Sequence, residues 1–518
     1  MTATKNYSFL VLLLVSVIII FSNLGSIPLL DPDEPVYAET PKEMMMYNEF
    51  ISPRIYGEYW YDKPPMYYWL VAGSYQLFGV NDFAARFPSG LLAIICISSV
   101  YFFAKKILNE RAAIFSGFVL VTSIEFFYLS KAAVTDITLT LFLTLSLLCF
   151  VRKKYYLFYL FAGLATLTKG PIGLFFPVVI AFLYLLFTRQ LSEIKHMKII
   201  PGLLIFAVVA LPWYIVMYNI HGSDFINTFL GFHNITRFTS PEHPSGVLWY
   251  YYVPVLLIGF FPWCTCILQA MYRIFLGHCE KFKEMFFFSI WAIVVFVFFS
   301  ISQTKLVSYI LPMFPALAII IGWYIDQLCT EYHRPKHQLL WHGFMVILTI
   351  LFSLGSYLGI KELPVIEHSV FALIAVFGFL LIFTTLYFCR KNIFMVFSIN
   401  IFGMIGLALI VSYMLFPAVA PNFATQKTAM EFKTIYDGQS PIYVSKFLRP
   451  GFAFYSGQYG NEIYFSETLM PDIENILKLQ PKAYFVIRDI DYERIPENTR
   501  NKMEIQRTVD NKLILRTK

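Results

Sequence analysis

Ile393-Phe-Met-Val-Phe-Ser-Ile-Asn-Ile-Phe-Gly-Met-Ile-Gly-Leu-Ala-Leu-Ile-Val-Ser-Tyr-Met-Leu-Phe416 runs on without a single charged side chain until Pro417 follows it. A helix needs about 20 mainly apolar residues to cross the hydrocarbon core of a bilayer, so this stretch reads as a membrane span. Working back from it, similar stretches lie near 8–24, 88–104, 112–128, 134–151, 155–168, 171–188, 199–219, 247–270, 285–303, 306–325, 340–360 and 369–388, which predicts about thirteen transmembrane helices. Composition agrees. Of 518 residues, 58% are hydrophobic and only 14% charged, against roughly 45–50% and 25% in soluble domains. An ordinary soluble globule, a disordered chain, a collagen and a coiled coil are all excluded. The 54 phenylalanines and 34 tyrosines suit lipid-facing surfaces and interfacial belts.

The net charge of +7 would suggest a nucleic-acid partner in a soluble chain. The positive-inside rule gives a simpler account. With the N-terminus inside, the inside loops carry 17 Lys and Arg, in basic groups such as Lys105-Lys106 and Arg152-Lys153-Lys154, and the outside loops before Phe416 carry 9. Topology therefore accounts for most of the charge, and no nucleic acid is implied. Seven cysteines, at 96, 149, 264, 266, 279, 329 and 389, sit in or beside apolar runs without metal-ligand spacing. They read as packing residues. An odd number of spans puts residues 417–518 outside. There the runs Pro441-Ile-Tyr-Val-Ser445, Glu462-Ile-Tyr-Phe465, Ala483-Tyr-Phe-Val-Ile487 and Lys512-Leu-Ile-Leu515 alternate with helical stretches near 424–437 and 470–479. Strands alternating with helices predict a small α/β domain. The chain divides into a membrane domain, 1–416, with outside loops 25–87 and 220–246, and a soluble domain, 417–518.

The topology gathers the unusual polar residues on the outside face. The loop 25–87 holds Asp33-Glu34 and Asp62-Lys63-Pro64-Pro65, and its length and aromatic content predict helices lying on the membrane surface. Lys131, Asp136 and Lys169 lie at span ends, Lys305 closes Ser302-Gln-Thr-Lys305, and the loop 220–246 adds His221, Asp224, His233, Asn234, Arg237, Glu242 and His243. Ionisable groups at the margin of hydrocarbon are costly and usually face a cavity or one another. Acids opposite lysines on one membrane face make a polar cleft for an anionic, lipid-borne substrate. Each residue also has a plainer reading: a solvated loop acid, a snorkelling lysine, or, for Asp136, a helix N-cap. Asp33 and Glu34 diverge on a helix, so one can serve the cleft while the other caps or pairs. Asp62 and His243 have the chemistry of zinc ligands, although a lone loop histidine is more often simply exposed.

The run Asp33-Glu34…Tyr37-Ala-Glu39, then Asp62-Lys63-Pro64-Pro65…Tyr68-Trp69-Leu70 and Phe78-Gly79…Phe83-Ala-Ala-Arg86-Phe-Pro88-Ser89, resembles the N-terminal signature of bacterial aminoarabinose (lipid A) transferases. These are relatives of the dolichyl-phosphate-mannose protein mannosyltransferases and have the GT-C membrane fold. Leu167-Thr-Lys169-Gly170-Pro171, Asn234…Arg237-Phe238…His243, Trp249-Tyr-Tyr251 and Lys305-Leu-Val-Ser-Tyr309-Ile-Leu-Pro312 extend the resemblance through the membrane region. It implies an inverting glycosyltransferase that moves aminoarabinose or another monosaccharide from a polyprenyl-phosphate donor to lipid A, a glycan or a protein, at the periplasmic face of the bacterial inner membrane. It further implies Asp33 and Asp136 as catalytic carboxylates, Lys63 as donor-phosphate ligand, Arg237, Lys305 and Tyr309 as cleft residues, and Asp62 with His243 as holders of a zinc ion. The family often has arginine where this chain has Val36, and glutamate where it has Asp62. A hydroxyl acceptor would want a carboxylate as base; a phosphate acceptor would leave the carboxylates to hold the sugar. A flippase of lipid-linked sugars is the rival from another class, but flippases often show internal repeats and midplane charges, and neither is visible here.

Overall fold

The computed structural model describes residues 7–240, 248–276, 279–330, 335–465, 473–480 and 482–518. These fall into two compact units. One comprises residues 1–22, 61–67 and 88–413, and the other 23–60, 68–87 and 414–518.

The first unit is helical. Each of the thirteen apolar stretches coincides with a helix or with two helices in succession. Seven helices among the described residues are long and apolar enough to cross a membrane, and nine spans result if each of two bent pairs counts once. The pairs are Glu110–Thr122 with Ile124–Ser130, bent by 67°, and Tyr252–Gly259 with Trp263–Leu276, bent by 111°. The chain is a multi-pass membrane protein, and among the described residues seven to nine crossings meet the length and composition of a full span, with shorter apolar helices besides. A hydropathy reading sees an apolar run and not the bend within it. Nor does it see that helices such as Tyr7–Phe21, Asp136–Val151 and Ile172–Phe187 stop short of a full crossing length.

At the centre of this unit, Glu110–Thr122 lies along Phe314–Thr330, and most of the span Val307–Thr330 is buried. Ile172–Phe187 is at the margin. Its Phe176, Pro177 and Ile180 face inward, while Phe175, Val178, Phe182 and Leu186 form an exposed apolar stripe at helical spacing. Lys131 shows how a buried charge is accommodated here. Its ammonium donates to the carbonyls of Ile20 at 3.0 Å, Ile19 at 3.3 Å and Ser22, satisfying the C-terminal end of Tyr7–Phe21.

The second unit joins the first long loop with the C-terminal residues. The loop forms the helix Asp33–Met46, a small antiparallel pair β1 (Arg54–Ile55) and β2 (Glu58–Tyr59), and most of the helix Met66–Phe78. Five strands follow: β3 (Ile442–Ser445), β4 (Asn461–Ile463), β5 (Tyr484–Arg488), β6 (Met503–Val509) and β7 (Lys512–Thr517). Their order is β4-β3-β5-β7-β6, with β3 parallel to β4 and β5, and β7 antiparallel to β5 and β6. Both faces are covered. Phe485, Ile487, Leu513 and Leu515 pack on one side, and Val444, Tyr484, Val486 and Ile514 pack with Phe432 and Phe452 on the other. The small α/β fold was expected from sequence. Strand β6 and the helix Arg449–Ser456 were not, since β6 interleaves charges at a sheet edge and the helix opens with Pro450-Gly451.

Glu34 and Arg86 make a buried two-pronged pair in this unit, with Nε to Oε1 at 2.8 Å and Nη2 to Oε2 at 2.6 Å. Arg86 also donates to the carbonyls of Leu24, Ile27 and Pro28, which ties the start of the loop to the helix that follows it. Asp31 is likewise buried. It accepts hydrogen bonds from the Thr425 hydroxyl and, at 3.0 Å, from the Gly451 amide.

Candidate active site

Several elements of the first unit end at one polar cavity of about 100 Å³. Asp62 and Lys63 enter from the short segment before Met66–Phe78, where two prolines stiffen the chain. Lys169 is the last residue of Tyr155–Lys169, and Asp136 is the first residue of its neighbour Asp136–Val151, so two helices running in opposite directions bring both charges to the same level. His233 and Arg237 come from the helical segment that follows a break at Gly222 in the helix beginning at Ile199, and its turns widen to π-helical geometry over Ile226–Thr236. Such widened turns are rare and frequent at functional sites. Tyr309 opens the span Val307–Thr330.

Gly170 lets these pieces meet. Its backbone has φ +81° and ψ −151°, a region almost confined to glycine, and a Cβ there would lie 3.0 Å from the Phe229 ring. The Phe229 carbonyl in turn accepts the Asn234 side-chain amide at 2.6 Å. Across the cavity, the amides of Gln303 and Thr304 donate to the carbonyls of Phe238 and Arg237 at 3.0 and 3.1 Å, which fixes the backbone that carries Arg237.

Asp62 is the hub. Lys63 Nζ and His233 Nδ1 each lie 2.8 Å from its Oδ1, and Arg237 Nη1 lies 3.7 Å away. Burial alone would raise the Asp62 carboxyl, but Lys63 and His233 outweigh it and hold the group below the usual carboxylate range. Burial lowers the Lys63 ammonium. Asp62 pulls it back, and the like charges of Arg237 and Lys169 add to the lowering. Lys169 pairs with Asp136 at 2.7 Å and stands 4.9 Å from the Tyr309 ring centroid, within cation–π range. Three basic side chains, Lys63, Lys169 and Arg237, thus face two carboxylates, each already paired. The excess positive charge, together with Asn234, Ser302, Thr304 and Tyr309 as polar lining, makes a receptor for an anion. Phe229, Phe238, Phe298 and Phe299 give it an apolar wall.

The residues singled out in the sequence divide as follows. Asp62, Lys63, Arg237 and Tyr309 line the cavity, and Asp136 is held against it by Lys169. Asp136 makes no side-chain cap; Thr135 precedes the helix and the carboxylate goes to lysine instead. Lys305 is buried beside the cavity but not in its lining, with its ammonium 2.6 Å from the Ser302 carbonyl. Asp33 is exposed at the start of Asp33–Met46 and belongs to the second unit, and its neighbour Glu34 is the buried, paired one. His243 lies outside the described residues. Among the described lining residues only Asp62 and His233 are metal-ligating types, and no group of three His, Cys, Asp or Glu is present among the described residues. Structural zinc takes four protein ligands and catalytic zinc three, so the described residues alone do not compose a zinc site. The sequence reading noted Lys169 and His233 without assigning either a place in the site. The spacing of His233 and Arg237, four residues apart and therefore on one helix face, was the available signal.

A helical membrane protein whose helix ends surround a buried cationic cavity matches a known class. The structure superposes on the crystal structure of ArnT from Cupriavidus metallidurans bound to undecaprenyl phosphate, with a TM-score of 0.77 over 99% of this chain and 98% of that one at 21% identity. The two proteins therefore share one fold. Residues 62–215 match the dolichyl-phosphate-mannose-protein mannosyltransferase family. An uncharacterised protein of Aquifex aeolicus is 31% identical over 69% of this chain and 72% of its own. The undecaprenyl phosphate-alpha-4-amino-4-deoxy-L-arabinose arabinosyl transferase of Aeromonas hydrophila is 31% identical over 57% of this chain and 56% of its own length. The chain belongs to one family with the Aquifex aeolicus protein, and over residues 62–215 it is similar to the dolichyl-phosphate-mannose-protein mannosyltransferases.

Proposed function

We propose that this chain transfers a monosaccharide, aminoarabinose or a close relative, from undecaprenyl phosphate to lipid A or another acceptor at the periplasmic face of the bacterial inner membrane. The observation that carries the reading is the set of three partly buried cations converging on one small cavity with only two acids to balance them. The donor phosphate sits among Lys63, Lys169 and Arg237. The acceptor oxygen attacks the anomeric carbon from the side opposite the phosphate, the carbon–oxygen bond to phosphate breaks, and polyprenyl phosphate leaves as an anion. A phosphate leaving group is already ionised, so it needs charge stabilisation more than a proton, and fixed cations in a water-poor site supply that. A hydroxyl acceptor gives its proton to a carboxylate, Asp136; a phosphate acceptor has none to give.

Purified protein incubated with undecaprenyl-phosphate-linked sugars and a panel of lipid A, glycan and peptide acceptors tests the reading. Lys63→Ala should lower transfer by at least about a hundredfold, the usual cost of removing one transition-state charge partner, and Asp136→Asn should lower it too. Donor crossing the bilayer with no sugar transferred would make the protein a flippase. Zinc at Asp62 and His243 is read in the same assay by chelation and add-back: turnover that falls and returns supports the ion, and unchanged turnover removes it.

A further inference from the structure

The proposed transfer makes no use of the buried acid Glu125. Glu125 lies in the first turn of Ile124–Ser130, the second half of the first bent pair. It is 4% exposed, and among the described residues neither of its carboxylate oxygens has a hydrogen-bond partner. Its position is fixed by the bend. Trp263 Nε1 donates to the Thr122 hydroxyl at 3.0 Å, and the Thr122 and Ser123 hydroxyls donate to the carbonyls of Phe118 and Val119. Its space is also reserved, since a Cβ on Gly259 would lie 2.5 Å from Glu125 Oε2. Even alanine at 259 would displace the carboxylate.

The charge near Glu125 is Asp136, close enough to act on it electrostatically. The helix Ile124–Ser130 packs against Asp136–Val151, which carries Asp136, and against the segment Val307–Met313, which carries the cavity residue Tyr309. Asp136 already has Lys169 as its counter-charge. Of the two neighbouring acids, Glu125 is the one with no cation. A carboxyl group buried that way stays neutral unless a cation completes its charge, and ionisable side chains within a membrane bundle mark substrate sites by default. A sugar hydroxyl could donate a hydrogen bond but would leave the charge unbalanced. A protonated amine supplies both donor and charge.

We infer that Glu125 receives the protonated amine of an amino sugar carried by the lipid-linked donor, and so gives the site its preference for a cationic sugar. The inference rests on the proposed glycosyl transfer. Its test is the binding of three probes to the full-length protein in detergent: undecaprenyl phosphate bearing 4-amino-4-deoxyarabinose, its N-acetylated form, and arabinose. Wild type should bind the amine at least about tenfold more tightly than either neutral sugar, a difference of about 1.4 kcal/mol. Glu125→Gln, which removes the charge, and Gly259→Ala, which displaces it, should both bring that ratio close to one by weakening the amine donor alone. Three results overturn the inference: wild type holding all three probes equally, which needs no variant; both variants keeping the preference; or equal loss on every donor. Equal binding with sugar still transferred would leave the proposed function standing. Failure to bind any probe, or undecaprenyl phosphate itself, would remove both.

Discussion

Asp136 and Lys169, 2.7 Å apart and both largely buried, are mutually dependent. Removing one partner of a buried pair leaves an uncompensated charge and typically costs about 3–5 kcal/mol, whereas replacing both by neutral groups is often tolerated. Lys169→Met should therefore lower the melting temperature in detergent sharply, and the double variant Asp136→Asn with Lys169→Met should recover most of it. A double variant as unstable as the single would show that the pair does not act as an electrostatic unit. Lys63, Asp62, Asp136 and Arg237 were legible one by one, because a charge beside hydrocarbon is expensive enough to need a reason. Their pairing was not. Asp136 meets a lysine 33 residues away and Asp62 a histidine far along the chain, and no local pattern encodes contacts at such separations.

Between elements, the junction at Gly170 decides whether the cavity is assembled. Alanine there must adopt a backbone conformation that costs about 1–3 kcal/mol, and its methyl would press on Phe229. Gly170→Ala should lower stability by that amount and weaken donor binding by shifting Lys169, both visible in thermal melts and in KM for the donor. A normal KM with reduced stability would confine the role of Gly170 to folding. Apolar periodicity placed the helices well, because burial in lipid or in neighbouring helices leaves a continuous signal. The breaks at Ser123 and after Gly259 left none, since both lie inside apolar runs. Strand β6 escaped for the opposite reason: only Met503 in it is buried, so its alternation is filled with charges.

For the molecule as a whole, the membrane class and the C-terminal α/β fold were legible, and the grouping of residues 23–60 and 68–87 with the C-terminal residues was not. Asp31 and Thr425 are 394 positions apart yet hydrogen-bonded. Burial pushes the Asp31 carboxyl up to about 8 from its ordinary 3.8, with Thr425 and Lys512 offsetting part of the rise. Between these values the folded chain keeps a proton that the unfolded chain has released, so this contribution to stability is complete below about pH 4 and lost as pH climbs toward 8. Melting of the full chain at pH 5 and pH 8.5 should show wild type losing more than Asp31→Asn over that interval. Identical slopes would clear Asp31 of the effect.

The exposed stripe of Phe175, Val178, Phe182 and Leu186 belongs to a helix of 16 residues, which rises only about 24 Å against a hydrocarbon core of about 30 Å. Lipids packed against it must shorten to match, because leaving the surplus acyl length unmet is costlier than a local dimple. Ile172, at the start of that same helix, borders the cationic cavity. In the proposed transfer a lipid-borne donor would meet the cavity from this short apolar side, and a thicker bilayer would slow its entry while leaving the chemistry intact.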